Sequence, residues 1–481
     1  MIADLKPYPQ MKDSGVPWLG EVPEHWEMSR LGYVASLVVP MRDKPSDLSG
    51  EIPWVRIEDF NGRYIITSRS RQGVSAVTMR KMNLKVLPPG TVLCSCSCSM
   101  GATAIVKVPL VSNQTFIGII PGHRLESEYV YWLMQVSKDH LTQMATGAIQ
   151  QYLSRDDFSS LKIIVPPLPE QAAIGRFLDH ADRRIRRYIL AKQKLIKLLE
   201  EQKQAIIHRA VTGGLGPNVR LKNSGVGWLG DVPEHWEVKR LKAVVSSVTS
   251  GSRGWSSFAA DAGVLFIRIG NLTRTSIDLD TEKMVRLQLP SRVLGEAART
   301  RVRAHDILLS ITAFIGSVAV VPVGIEEAYV SQHVACCRPH AGAANPRWVA
   351  YVLLSPVGQK HGKLSMYGGT KQGLSLDDVK NYVVLLPPLD EQERLVDWIE
   401  STSSGVDAGI RSTKREISLL REFRTRLIAD VVTGKLDVRE AAARLPDEAA
   451  EPEPLDEADA LTDAVEDTVD DLDAVPEEAE S

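Results

Sequence analysis

Ser14-Gly-Val-Pro-Trp-Leu-Gly-Glu-Val-Pro-Glu-His-Trp-Glu27 returns 210 residues later as Ser224-Gly-Val-Gly-Trp-Leu-Gly-Asp-Val-Pro-Glu-His-Trp-Glu237, with twelve of fourteen positions identical. A repeat of that length governs the architecture. A second set of matches runs at an offset of 221. Leu153-Ser-Arg-Asp-Asp157 pairs with Leu374-Ser-Leu-Asp-Asp378, Pro166-Pro-Leu-Pro-Glu-Gln171 with Pro387-Pro-Leu-Asp-Glu-Gln392, and Val211-Thr-Gly-Gly-Leu215 with Val432-Thr-Gly-Lys-Leu436. Each half therefore has a shared opening, a divergent middle and a shared ending. Two modules with one frame and different middles fit one task performed on two targets.

The middles, roughly residues 40–145 and 250–365, align loosely. Arg56-Ile-Glu-Asp-Phe-Asn61 lies near Arg268-Ile-Gly-Asn-Leu-Thr273 in the alignment. Short β-rich runs bounded by Gly or Pro predict strands at 52–57, 92–98 and 104–108, and at 264–269, 307–311 and 317–321. Short helices are expected at 129–136 and 347–354. Each module then carries a polar loop, Thr146–Gln151 and Gly368–Gln372.

The endings read differently. After the Pro166-Pro167 and Pro387-Pro388 steps, apolar residues recur at helical spacing. In the first copy these are Ile174, Leu178, Ala181, Ile185, Tyr188, Leu195, Leu199 and Ile206. In the second they are Leu395, Ile399, Val406, Ile410, Ile417, Leu420 and Leu427. The spacing predicts two helices of about forty residues, each about 60 Å long at 1.5 Å per residue. Gly213-Gly214 and Gly434 end them, and Gly405 and Gly409 predict a kink in the second. A narrow apolar seam on so long a helix needs a partner, and the other copy is the obvious one.

Composition narrows the function classes. A chain of 481 residues, 44% hydrophobic, holds two or three cores. No apolar run is long enough to span a bilayer, and the N-terminus lacks a secretory pattern, so a cytoplasmic protein without membrane partners is expected. Five cysteines, crowded at 94, 96, 98, 336 and 337, do not make a disulfide framework. Cys94, Cys96 and Cys98 alternate as one face of a half-buried strand does, and no metal site is expected there. Sixteen acidic residues and no basic ones lie from Pro446 to the end, and the remainder carries 57 Lys and Arg against 44 Asp and Glu. A basic body points to a polyanionic partner, and the acidic tail is expected to be disordered.

The Trp18-Leu-Gly-Glu-Val-Pro-Glu-His-Trp26 opening with its repeat resembles the DNA specificity subunits of type I restriction-modification systems. So does the Leu386-Pro-Pro-Leu-Asp-Glu-Gln392 junction before a long helix; the first junction has Val165 in place of the leading Leu. The resemblance implies a non-catalytic subunit that reads a split sequence in double-stranded DNA. Its two target-recognition domains would be held apart by paired helices that dock two methyltransferase subunits, with restriction (motor-nuclease) subunits joining the assembly. S-adenosylmethionine, ATP and magnesium would serve those partners, and this chain would bind no cofactor. The residues agree: no phosphate-binding G-x-x-x-x-G-K-[ST] loop and no Asn-Pro-Pro-Tyr occur. The rival reading is a coiled-coil scaffold without DNA recognition.

The fold expected is α+β, with an internal pseudo-twofold repeat and the two long helices paired as an antiparallel coiled coil. The boundaries are an arm at 1–13, recognition domains at 14–166 and 224–387, helices at 167–214 and 388–436, a linker at 215–223 and a tail at 437–481. Arg suits guanine and Asn or Gln suits adenine through paired hydrogen bonds. Polar residues on loops of the divergent middles are thus the DNA-reading candidates. They are Arg42, Lys44, Arg63, Arg69, Arg71 and Gln150 in the first module, and Arg253, Arg274, Lys371 and Gln372 in the second. His25 and His235, each before a Trp, are expected to pack in the domain lead-in and to have no catalytic role.

Overall fold

The computed structural model describes residues 5–40, 44–60, 62–97, 100–145, 152–216, 218–282, 284–366 and 373–446. It divides into two compact units. Among the described residues, one comprises 5–190 with 416–446 and the other 191–415. Each unit therefore takes one globular module and a stretch of both long helices.

In the first unit a five-stranded sheet runs in the order 35–38, 116–121, 92–95, 103–106, 64–65. Its neighbours are antiparallel except 64–65, which lies parallel to 103–106. A smaller sheet joins 111–112, 52–55 and 73–74. The second unit repeats the plan with 245–250, 334–339, 307–310 and 318–320, and a second sheet of 259–260, 285–287, 264–267 and 328–330. The strands at 92–95 and 307–310 are covered on both faces, and Cys94 and Ser95 are both buried. The half-buried alternation expected there does not occur, because the sheet is sandwiched and has no solvent side. Burial pushes the Cys94 and Cys337 thiols up to about 12, which disfavours the thiolate a metal would need.

The repeated motifs close and cap each module. Strand 27–30 pairs antiparallel with 162–165, and 237–240 with 383–386, so opening and ending close each module. Ser154 and Asp157 form a reciprocal capping box, as do Ser375 and Asp378. Gln171 donates to the Pro166 carbonyl at 2.7 Å and accepts from Glu126 N–H at 2.9 Å. Gln392 donates to Pro387 at 2.8 Å and accepts from Asn345 N–H at 2.8 Å.

Glu170, in the first turn of the first long helix, takes Trp26 Nε1–H at 2.9 Å, His25 Nε2 at 2.8 Å and the Tyr8 hydroxyl at 2.8 Å. Glu391 takes Trp236 Nε1–H at 3.2 Å and His235 Nε2 at 2.8 Å. The two histidines are thus structural, each bound to the carboxylate that opens a long helix. Burial alone raises the Glu170 carboxyl, but the hydrogen bonds from Trp26, His25 and Tyr8 prevail and hold it below the usual range.

The long helices run Leu168–Gly213 and Leu389–Val432. Rising numbers on one meet falling numbers on the other. In the first unit Asp182 pairs with Arg424. In the second, Lys203 meets Asp407 at 2.6 Å, and Leu199 lies 3.5 Å from where a Cβ on Gly409 would stand. The pairing is antiparallel, as the internal repeat demands. The second helix runs unbroken through Gly405 and Gly409. The expected seam holds at Ile174, Leu178, Ala181 and Ile185, then shifts, with Ile189 and Ile207 buried and Tyr188 51% exposed. Polar residues enter the seam at Lys203, Ser403 and Thr413. Among the described residues no helix is long and apolar enough to cross a membrane.

Residues 437–446, set within the tail by the sequence boundaries, pack on the first unit through Val438, Ala442 and Leu445, and Arg439 pairs with Asp437 at 2.7 Å and stands 3.7 Å from Glu170. Residues 447–481 lie outside the described residues.

Two outcomes follow from these contacts. Glu170 titrates lower in the fold than in the unfolded chain, so its contribution is complete above the unfolded value near 4.5 and is lost as pH falls through the depressed folded value. Glu170→Gln should cost about 1–3 kcal/mol at pH 7, and denaturant melts of the two proteins should converge in acid. Asp407→Ala should lower the melting temperature by leaving the Lys203 ammonium unpaired. Lys203→Met with Asp407→Leu should restore or exceed the native value, as calorimetry would show.

Candidate nucleic-acid interface

Strand polarity gathers the variable turns at one end of each unit. In the first, Phe116 lies opposite Ser95, so the turn at 112–115 meets the segment after residue 95. Cys96 N–H donates to the Thr115 carbonyl at 2.9 Å, and Leu153 N–H to the Cys96 carbonyl at 3.0 Å. In the second, Val334 lies opposite Ser310. Ile311 N–H donates to His333 at 3.0 Å, Leu374 N–H to Ile311 at 2.8 Å and Gly251 N–H to Ser331 at 3.1 Å. Four segments of the second unit thus converge, around 251–254, 311–316, 331–333 and 373–374.

The Arg-Ile-x-Asp/Asn stretches noted in the sequence make matching turns of 3-10 helix at Ile57–Asp59 and Ile269–Asn271. Phe60 stacks on Phe116 with ring centroids 4.9 Å apart, which brings the first of these turns to the same end as 112–115. In the second unit Thr273 bridges to Val318, and the Arg274 guanidinium donates to the Ile315 carbonyl at 2.8 Å.

The candidate residues divide into three groups. Arg42, Gln150, Lys371 and Gln372 lie outside the described residues. Lys44, Arg69, Arg71 and Arg253 are exposed, and Arg274 is exposed but tied to Ile315. Arg63 has a different duty. Its side chain is 10% exposed, pairs with Asp179 of the first long helix, and lies 5.2 Å from the Tyr131 ring and 5.4 Å from the Trp132 ring. A guanidinium so enclosed anchors the helix to the module and cannot also reach a base edge.

Two sets of residues at this end escaped sequence reasoning. Gln114 and Gln332 occupy matching places, each two residues before the first residue of the strands at 116–121 and 334–339. Gln332 Nε2 lies 2.9 Å from His333 Nε2, whose Nδ1 is 2.8 Å from Thr312 Oγ1. The offset between them, 218, matches neither repeat offset, so only the strand register aligns them. Asp59 is the second omission. Among the described residues no three potential metal ligands come together.

The chain matches the family model described as type I restriction modification DNA specificity domain twice, over residues 23–199 and 233–417. It is similar to the type I restriction enzyme MjaIX specificity subunit of Methanocaldococcus jannaschii, 24% identical over 88% of this chain and 96% of that one. It is similar also to the EcoBI specificity subunit of Escherichia coli, 21% identical over 89% and 90%. A chain from a solved structure concerned with assembly and conformational transition of the type I R-M system shares the fold. Its TM-score is 0.58 at 20% identity, covering 86% of this chain and 99% of that chain.

Proposed function

Because the chain belongs to the type I restriction modification DNA specificity family, we propose that it reads a split target in double-stranded DNA, one half with each unit. The observation that carries this reading is the pair of matched loop ends, alike in scaffold and unlike in side chains. A frame repeated at twelve of fourteen positions and turns that diverge are what two different half-sites require. Lys44, Arg69, Arg71, Arg253 and Arg274 would supply contacts to bases and phosphates, together with Arg42, Gln150, Lys371 and Gln372. A basic body would add the salt-dependent, sequence-independent part of the affinity.

The long helices would set the spacing between half-sites and receive two methyltransferase subunits, through which restriction (motor-nuclease) subunits join. Apolar side chains left in solvent support a docking role: Tyr188, Leu419 and Phe423 in the first unit, Leu195 and Leu198 in the second. The chain would contribute address without chemistry. S-adenosylmethionine, ATP and magnesium would be handled by its partners, in the cytoplasm.

Cells carrying this chain with its methyltransferase should show adenine methylation at a motif of two specified halves around an unspecified gap, and the motif should vanish without this chain. Methylation at no motif, with an active and bound methyltransferase, would return the protein to the scaffold reading. Replacing residues 40–145 by the middle of another such subunit should change one half only. Adding four residues to each long helix, the first addition within 185–200, should lengthen the gap by about two base pairs, at 1.5 Å per residue and 3.4 Å per base pair.

A further inference from the structure

We propose that the turn Ser68–Arg71 is the guanine-reading element of the first unit and that Asp59 is the residue that positions it; this rests on the DNA-reading role proposed above. Asp59 is 4% exposed. One carboxylate oxygen accepts Arg56 N–H at 2.7 Å and caps the 57–59 turn. The other accepts Arg69 N–H at 2.6 Å and the Ser68 hydroxyl at 3.3 Å. Arg71 N–H closes the turn on the Ser68 carbonyl at 3.0 Å, and the Ser68 and Ser70 hydroxyls meet at 3.0 Å.

Arg71 is held at φ 54°, in the left-handed region that few non-glycine residues enter. A strained position kept by a side chain other than glycine points to a use for that side chain. Arg69 and Arg71 are both exposed, and neither guanidinium has an ion pair or hydrogen bond among the described residues. Two donor forks, fixed at the backbone and open at the tips, match the O6 and N7 acceptors of guanine in the major groove. The Phe60–Phe116 stack places the turn's anchor at the end of the unit where the other variable turns gather.

Among the described residues the second unit lacks this device. Asn271 stands where Asp59 does and accepts Arg268 N–H at 2.9 Å, so the cap is kept. Its other atom is an amide nitrogen that donates to the Asp280 carbonyl at 3.1 Å. The loop it holds carries Asp278 and Asp280, and its Arg274 donates to the Ile315 carbonyl. A guanine reader of this kind therefore belongs to one half of the target.

The test uses the whole chain in complex with its methyltransferase subunits, with the half read by the first unit identified by the exchange of residues 40–145. Methylated adenines are mapped, and binding is measured to duplexes carrying each base at every position of both halves. Asp59→Asn keeps an acceptor for Arg56 but turns a donor toward Arg69 N–H, freeing the turn while keeping the cap. Arg71→Gly suits the left-handed backbone and removes only the guanidinium, and Arg71→Lys keeps charge without the fork. Arg69→Ala with Arg71→Gly should reduce preference for guanine at one or two positions of that half by roughly 5- to 150-fold, leaving the other half intact. Arg71→Lys should lose preference with little loss of non-specific binding, and Asp59→Asn should follow the double variant while the complex still reads the other half of the target. Uniform weakening on all duplexes with a shallower salt dependence would assign these arginines to phosphates and overturn the proposal. Unaltered specificity would overturn it as well. A wild-type complex that yields no split motif would instead remove the DNA-reading role on which it rests.

Discussion

Glu170 and Glu391 are the points on which each module's construction turns. Each carboxylate sits in the first turn of a long helix, where the helix dipole favours negative charge. Each takes the indole N–H and the imidazole of the His-Trp pair that closes the repeated opening. The adjacent glutamine ties the same turn to the Pro-Pro step and to the segment ahead of the buried helix at 127–136 or 346–354. Four side chains thus join the beginning of a module to its end and aim the long helix out of it. A glutamine would offer one acceptor oxygen where the indole and the imidazole use both carboxylate oxygens, which accounts for glutamate at this place in both copies.

The helices carry that construction from one module's ending to the other module's opening. Gly434, at φ 75°, ends the second helix against Pro23 and Trp26, where a Cβ would stand 2.4 Å from the Pro23 ring. Gly214, at φ 66°, ends the first against Trp236 and Glu391. Gly434 is required twice over, by its backbone conformation and by the closeness of Pro23 and the indole, whereas Gly214 is required by its backbone conformation alone. The polar residues in the seam act on register more than on strength. Lys203 has its acceptor only when Asp407 stands opposite. A slide of one turn would bury an unpaired ammonium.

Upon this shared frame the two units diverge where one atom changes. Asp59 offers two acceptors and draws in a second loop; Asn271 offers one acceptor and one donor and selects a different loop conformation. The frame tolerates this because the cap needs only one oxygen. Differences of that size, confined to turns whose ends are set by strand register, let one fold present different surfaces without altering its core.

Much of the architecture was legible in the sequence, because repeats, Pro-Pro breaks and helical periodicity are local signals. The two modules, the two long helices with their glycine ends, and the structural rank of His25 and His235 all follow from residues read in order. The strands expected from β-rich runs were found, the one at 92–95 ending three residues early, whereas the central strands at 116–121 and 334–339 were not among those expected. What stayed hidden depends on contacts between residues far apart in the chain. Arg63 looked like a loop arginine until Asp179, Tyr131 and Trp132 enclosed it, and Tyr188 looked like a seam residue until Ile189 took the place. The cysteine strand seemed half-buried because alternation cannot report a second covering layer. Asp59 stood out only as part of the Arg56–Asn61 match, and its role stayed hidden because its second oxygen acts on a turn ten residues away. The sequence by itself determined the number and order of the parts, and the tertiary structure alone decided which side chains are spent holding them and which remain free to bind.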